Sequence, residues 1–191
     1  MNLPPVECDG FAATVPRGLH AATATWPQIE ARLAAGALAV LPVGAAAKAH
    51  GRHLPLATDY LQAEWLAAQL VQRCEAVVWP TLSYGHYPAF VDYPGSTTLE
   101  RVTFRTAAVE ILRGLARAGA GRIAILNTGI STIGPLAEAA AHPGLEVPVK
   151  LVNVYDGPRL AHAQAEIEEQ AWGGHADEVE TSLMLVIAPQ L

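Results

Sequence analysis

The chain changes hydrophobic period again and again, and that alternation limits its fold more than any other feature. Four short apolar runs, "ALAVLPVG" (37–44), "EAVVWPTLSY" (75–84), "GRIAILNTG" (121–129) and "VPVKLVNV" (147–154), are separated by stretches with helical spacing. Runs this short and this continuously apolar read as strands covered on both faces. The spacing predicts a helix over 26–36, with Ile29 and Leu33 four apart and Gly36 as its stop. A second helix is predicted over 59–74, with Asp59 as its N-cap and Leu61 and Trp65 on its apolar side. Pro80 shortens the second strand or sends it toward an edge. A long helix over 99–119 and a short one over 134–142 follow, and the tail 161–189 reads as helical except at Gly173-Gly174. Strands alternating with helices imply crossover connections and a mainly parallel sheet with helices on both sides, a three-layer α/β/α fold.

With 191 residues, the chain supports one domain over 1–191 with a sizeable core. Its net charge is -6 and its twelve Lys and Arg residues are scattered, which argues against a nucleic-acid partner. No apolar run approaches the length that crosses a bilayer. The opening "MNLPPVECDGFAATVPRG" lacks the basic and apolar regions of a signal peptide, so a cytoplasmic protein is expected. Cys8 and Cys74 make no disulfide framework, and Cys74 reads as a small apolar residue at a helix end.

In sheets of this kind ligands gather beyond the carboxyl ends of the strands. Two clusters of chemistry-bearing residues fall there. "KAHGRHLPLATD" (48–59) follows the first strand and offers Lys48, His50, His53 and Asp59, and imidazole and carboxylate are the usual ligands of zinc or manganese. "HADEVETS" (175–182) offers His175, Glu178 and Glu180. On a helix Glu178 and Glu180 project from different sides, so they do not converge on one ion. On spacing alone, surface or hydrogen-bonding histidines remain the alternative to ligands. His86 either lines the pocket or lies on the surface, and core packing is the favoured reading of Trp172.

These stretches, with "PTLSYGHYPAFVDYPGSTTL" and "LARAGAGRIAILNTG" between them, follow one another within 24–189 in an order that resembles the creatininase family of amidohydrolases. The resemblance implies a site for two divalent ions held by Glu, His, Asp, His and Glu, acting on a C–N bond of a small amide or cyclic amide. Carried over by position, His50, Asp59 and Glu180 are the metal candidates, with Asp59 bridging. His175 matches a proton-carrying histidine, and Glu178 falls on the first glutamate of the last motif. His175, Lys48 and Glu178 are accordingly the catalytic candidates. The family also implies a small-molecule partner and a homo-oligomer, and its members commonly continue past the point where this chain ends.

Two positions depart from the pattern. Lys48 stands where the first motif has glutamate, and Gly129 stands where a ligand histidine belongs. One divalent metal (Zn, Mn or Fe) on His50, Asp59 and Glu180 is then arguable, and so is none. Lys48 has three readings: an ammonium replacing an ion between Asp59 and Glu180, a solvated side chain, or a base or Schiff-base former. The alternatives to an amidohydrolase are a non-catalytic homologue that binds a small ligand or scaffolds an oligomer, or a metal-independent reaction in the same pocket.

Overall fold

The run 37–44 forms β2 (Leu38–Val43), buried at each of its last five residues because it lies in the middle of a sheet covered on both faces. In the computed structural model, which describes residues 16–191, five parallel strands stand in the order β1-β3-β2-β4-β5. β1 is Leu19–His20, β3 Ala76–Val78, β4 Ile123–Asn127 and β5 Val149–Asn153. The register sets Val40 beside both Val78 and Ala124, so β2 is paired along both edges. Among the described residues six α-helices complete the fold: α1 (Trp26–Ala34), α2 (Thr58–Arg73), α3 (Arg101–Arg117), α4 (Ile133–Ala140), α5 (Pro158–Ile167) and α6 (Glu178–Ile187).

Alternation along β2 sends its side chains into two cores. Ala39, Leu41 and Val43 pack with Leu33 of α1, Phe104 and Leu112 of α3, and Leu136 of α4. Val40 faces the other way, onto Ala67 and Val71 of α2. The predicted three-layer α/β/α architecture with a parallel sheet is therefore present. No helix among the described residues is long and apolar enough to cross a membrane.

Several details differ from expectation. The two-residue strand β1 has no apolar run to announce it, and Pro80 helps hold β3 to three residues. Asp59 is not the N-cap of α2. Ala57 holds that position, and Asp59 sits in the first turn with its side chain directed inward. The break in the helical tail extends over 168–177, well beyond Gly173-Gly174, and Trp172 within it is 90% exposed and does not pack in the core. Cys74 caps the end of α2 and packs against the second core, as the sequence suggests. Cys8 and most of the opening stretch 1–18 lie outside the described residues.

Candidate active site

Beyond Val43 the chain must turn tightly under α2. A Cβ on Gly44 would lie 2.4 Å from the Asp59 carbonyl oxygen, so only glycine lets the end of β2 run against the first turn of the helix. The loop that follows is pinned by main-chain bonds. Lys48 N–H donates to the Leu56 carbonyl (3.2 Å), Tyr60 N–H to that of Ala45 (3.1 Å), and Ala49 N–H to Ser96 Oγ (2.9 Å). This loop fixes Lys48 and His50 beside Asp59.

Lys48 is only 4% exposed, which removes the solvated reading. Its Nζ lies 2.8 Å from Asp59 Oδ2, and the other oxygen, Oδ1, lies 3.0 Å from His50 Nε2. Burial alone would raise the Asp59 pKa, but the His50 hydrogen bond and the Lys48 charge outweigh it and hold the carboxyl below its ordinary value. No pairing of Lys48 with Glu180 accompanies this one among the ion pairs of the described residues. The Lys48 ammonium also sits over the Phe90 ring, 5.3 Å from its centroid, an arrangement that favours a cation away from water. Phe90 comes from a short 3-10 turn, Pro88–Phe90, and its ring is 4.4 Å from that of His175.

The two histidines are oriented by main-chain carbonyls. His50 Nδ1–H donates to the Lys48 carbonyl (2.8 Å), and His175 Nε2–H donates to that of Ala49 (2.7 Å). With those protons committed, the remaining nitrogens are His50 Nε2, which lies on Asp59 Oδ1, and His175 Nδ1, 3.8 Å from Glu180 Oε2. Fixing one ring nitrogen on a carbonyl so that the other presents its lone pair is how proteins orient metal-ligating histidines. The ligand atoms of His50, His175 and Glu180 lie within 4.8 Å of one another, and the two rings are 4.8 Å apart. Burial and the Lys48 charge lower the His175 pKa, which favours the neutral imidazole.

Glu180 is positioned by the turn that starts α6. Asp177 caps the helix, accepting from Glu180 N–H at 2.9 Å and from Gly174 N–H at 2.6 Å. Ala176 adopts φ 50, left-handed for a residue with a Cβ, and its N–H donates to Glu180 Oε2. Replacing Asp177 by alanine is expected to cost about 1 kcal/mol in urea unfolding, the usual value of an N-cap. The same change should weaken any ion bound through Glu180.

Burial raises the Glu180 pKa, with the nearby Asp59 charge adding to it and the Ala176 amide opposing. A raised folded-state value means that the contribution of Glu180 is present below its unfolded value and lost as pH rises through the folded one. In chelated protein, Glu180→Gln should therefore melt higher than the wild type at neutral pH, and the two curves should converge in acid. Asp59 acts in the opposite sense, its contribution disappearing as pH falls.

Of the six candidates from the sequence, five converge: Lys48, His50, Asp59, His175 and Glu180. Glu178 does not. Its Oε2 accepts from the main-chain N–H groups of Glu169 and Gln170, both at 2.9 Å, which ties down the 168–170 segment. The convergent donor set has His175 in the place expected for Asp59: Lys48 Nζ holds one Asp59 oxygen and His50 Nε2 the other, so an ion bound there would have to take His50 Nε2 from Asp59 Oδ1. His53 bonds Thr181 Oγ1 at 2.9 Å and so ties the loop to α6, and His86 Nδ1–H donates to the Leu99 carbonyl at 2.9 Å. Two residues of the site had no signal in the sequence. Phe90 is one, and Tyr155 is the other: its hydroxyl donates to Gln62 Oε1, and burial raises its pKa. A cleft of about 250 Å³ opens from Glu180, lined also by Ile130, Tyr155, Gln164, Glu168 and Asp177, with no Lys or Arg in its lining.

The family described as creatininase (creatinine amidohydrolase) matches residues 22–191. The creatinine amidohydrolase of Pseudomonas putida is 29% identical over 185 residues, covering 87% of this chain and 71% of its own. The 3-dehydro-scyllo-inosose hydrolase of Thermotoga maritima is 28% identical over 185 residues, covering 92% of this chain and 58% of its own. A crystal structure of creatinine amidohydrolase has a TM-score of 0.79 at 28% identity, over 91% of this chain and 74% of that one.

Proposed function

Because this chain belongs to the creatininase family, we propose that it hydrolyses a C–N bond of a small amide or cyclic amide with one divalent ion where the family pattern has two. The observation that carries this proposal is the convergence of two carbonyl-fixed histidines on Glu180, with ligand atoms within 4.8 Å of one another. An ion there would draw His50 Nε2 from Asp59 Oδ1, whereas His175 Nδ1 faces Glu180 Oε2 at 3.8 Å. Two imidazoles and one carboxylate form an ordinary catalytic zinc set that leaves a position for water or substrate. The chemistry of the donors also suits Mn or Fe. An ion held by His50, His175 and Glu180 would supply Lewis-acid polarisation of the amide carbonyl.

The remaining residues have separate tasks. Lys48 and Asp59 cancel as a pair, so Glu180 supplies the uncompensated negative charge of the donor set. A second ion beside Lys48 would meet a repulsion of about 4 kcal/mol per unit charge at ~4 Å and an effective dielectric of ~20. Phe90 keeps water from the ammonium. The cleft is smaller than a typical drug-sized pocket, and its Glu168 and Asp177 carboxylates disfavour anions. A small neutral or cationic molecule rich in N–H donors is the substrate class that fits. A homo-oligomer, implied by the family, and a cytoplasmic location, the expectation from the sequence, belong to the same proposal.

Calorimetric titration of chelated protein with Zn²⁺ or Mn²⁺, followed by assay of a panel of small amides for amine release, tests this function. One equivalent and ion-dependent turnover are expected. Absence of stoichiometric binding, or turnover indifferent to the ion, would move the chain to the non-catalytic or metal-independent class. His175→Gln separates two roles. As a ligand, His175 should take at least tenfold of ion affinity with it, whereas a proton carrier alone would leave the affinity intact and alter only the pH profile of turnover.

A further inference from the structure

We propose that the Lys48 ammonium is a built-in substitute for the second ion, so that one metal subsite of the family pattern has become a fixed charge carried by the chain itself. This deepens the one-ion proposal above and rests on it for the identity of the site. Its support is the way Asp59 divides its two oxygens. Oδ1 faces His50 Nε2, on the side where His175 and Glu180 converge, and Oδ2 faces Lys48 Nζ at 2.8 Å.

The far side of Oδ2 shows why an ion would find no seat there. A Cβ built on Gly129 would lie 3.4 Å from Asp59 Oδ2, so a side chain at 129 would point at that oxygen, yet glycine offers no donor. The neighbouring Thr132 hydroxyl is committed, donating to Asn127 Oδ1 at 2.7 Å, and it lies 3.1 Å from the same Cβ position. Among the described residues the cation on Oδ2 is the one that Lys48 brings, and Phe90 covers it from the other side. A lysine serving as base or Schiff-base former would need an approach that this packing closes. Lys48 also serves the retained subsite, because its carbonyl accepts the His50 Nδ1 proton and so turns Nε2 toward the ion position. One residue fills the first subsite and orients a ligand of the second.

The test counts metal in wild type, Lys48→Glu and Lys48→Glu/Gly129→His after loading with Zn²⁺ or Mn²⁺ and desalting. The wild type should hold no more than one equivalent, and the substituted proteins one more than the wild type. Two equivalents in the wild type overturn the proposal outright. So does a folded Lys48→Glu that gains none, alone or with Gly129→His. A His side chain at 129 must displace Thr132, so Lys48→Met supplies an independent arm. Removing only the ammonium should tighten Zn²⁺ binding at the remaining subsite at least tenfold in calorimetry, and an unchanged affinity is a contrary result. Should the wild type hold no metal while Lys48→Glu gains an ion, the substitution stands and the one-ion hydrolase falls.

Discussion

Asp59→Asn is expected to cost about 3–5 kcal/mol of folding stability in the chelated protein, the usual penalty for removing one partner of a buried ion pair. The size follows from the geometry. Lys48 and Asp59 are 4% and 1% exposed, and their contact is 2.8 Å. Asparagine preserves the shape but leaves an ammonium that has lost both water and its counter-charge. His50 Nε2 loses its carboxylate partner in the same step. Urea unfolding measures the loss, and the double substitution Lys48→Met/Asp59→Asn should restore most of it, because two neutral groups bury without the electrostatic penalty. A coupling of about 2 kcal/mol or more in that cycle would identify the pair as the cause. A loss under about 1 kcal/mol, as for a solvent-exposed pair, would mean that water reaches Lys48.

Substituting His50 by alanine is expected to lower Zn²⁺ or Mn²⁺ affinity by at least ~100-fold, since loss of an outer-shell partner already costs about 10–100-fold and His50 is placed as a ligand itself. His50 is fully buried, with one nitrogen on the Lys48 carbonyl and the other beside Asp59. No other described side chain lies positioned to take over, because His53 is tied to Thr181 Oγ1. Calorimetric titration reads the change. Wild-type affinity in His50→Ala would place the ion elsewhere or remove it from the account.

The sheet was legible because parallel strands covered on both faces leave continuous apolar runs, and β2 is the clearest case. β1 was not, since two residues carry no periodicity and exist as a strand only through pairing with β3. In the site, the divergence of Glu178 from Glu180 follows from helical geometry, and the structure sends the two carboxylates to different partners. Lys48 was visible as an anomaly, yet its three readings are separated by burial and by what the ammonium touches, both properties of the loop fold and of Phe90 above it. The choice of His175 in place of Asp59 among the convergent donors was equally out of reach. It depends on two main-chain carbonyls, of Lys48 and Ala49, that exist as acceptors only once the loop has closed.

Anomalous diffraction from crystals soaked in Zn²⁺ or Mn²⁺ would count and locate the bound ions. One peak is expected, bounded by His50 Nε2, His175 Nδ1 and Glu180, with Lys48 Nζ still on Asp59 Oδ2. A second peak at Asp59 Oδ2 with Lys48 displaced, or no peak at all, would contradict a site built from one ion and one ammonium.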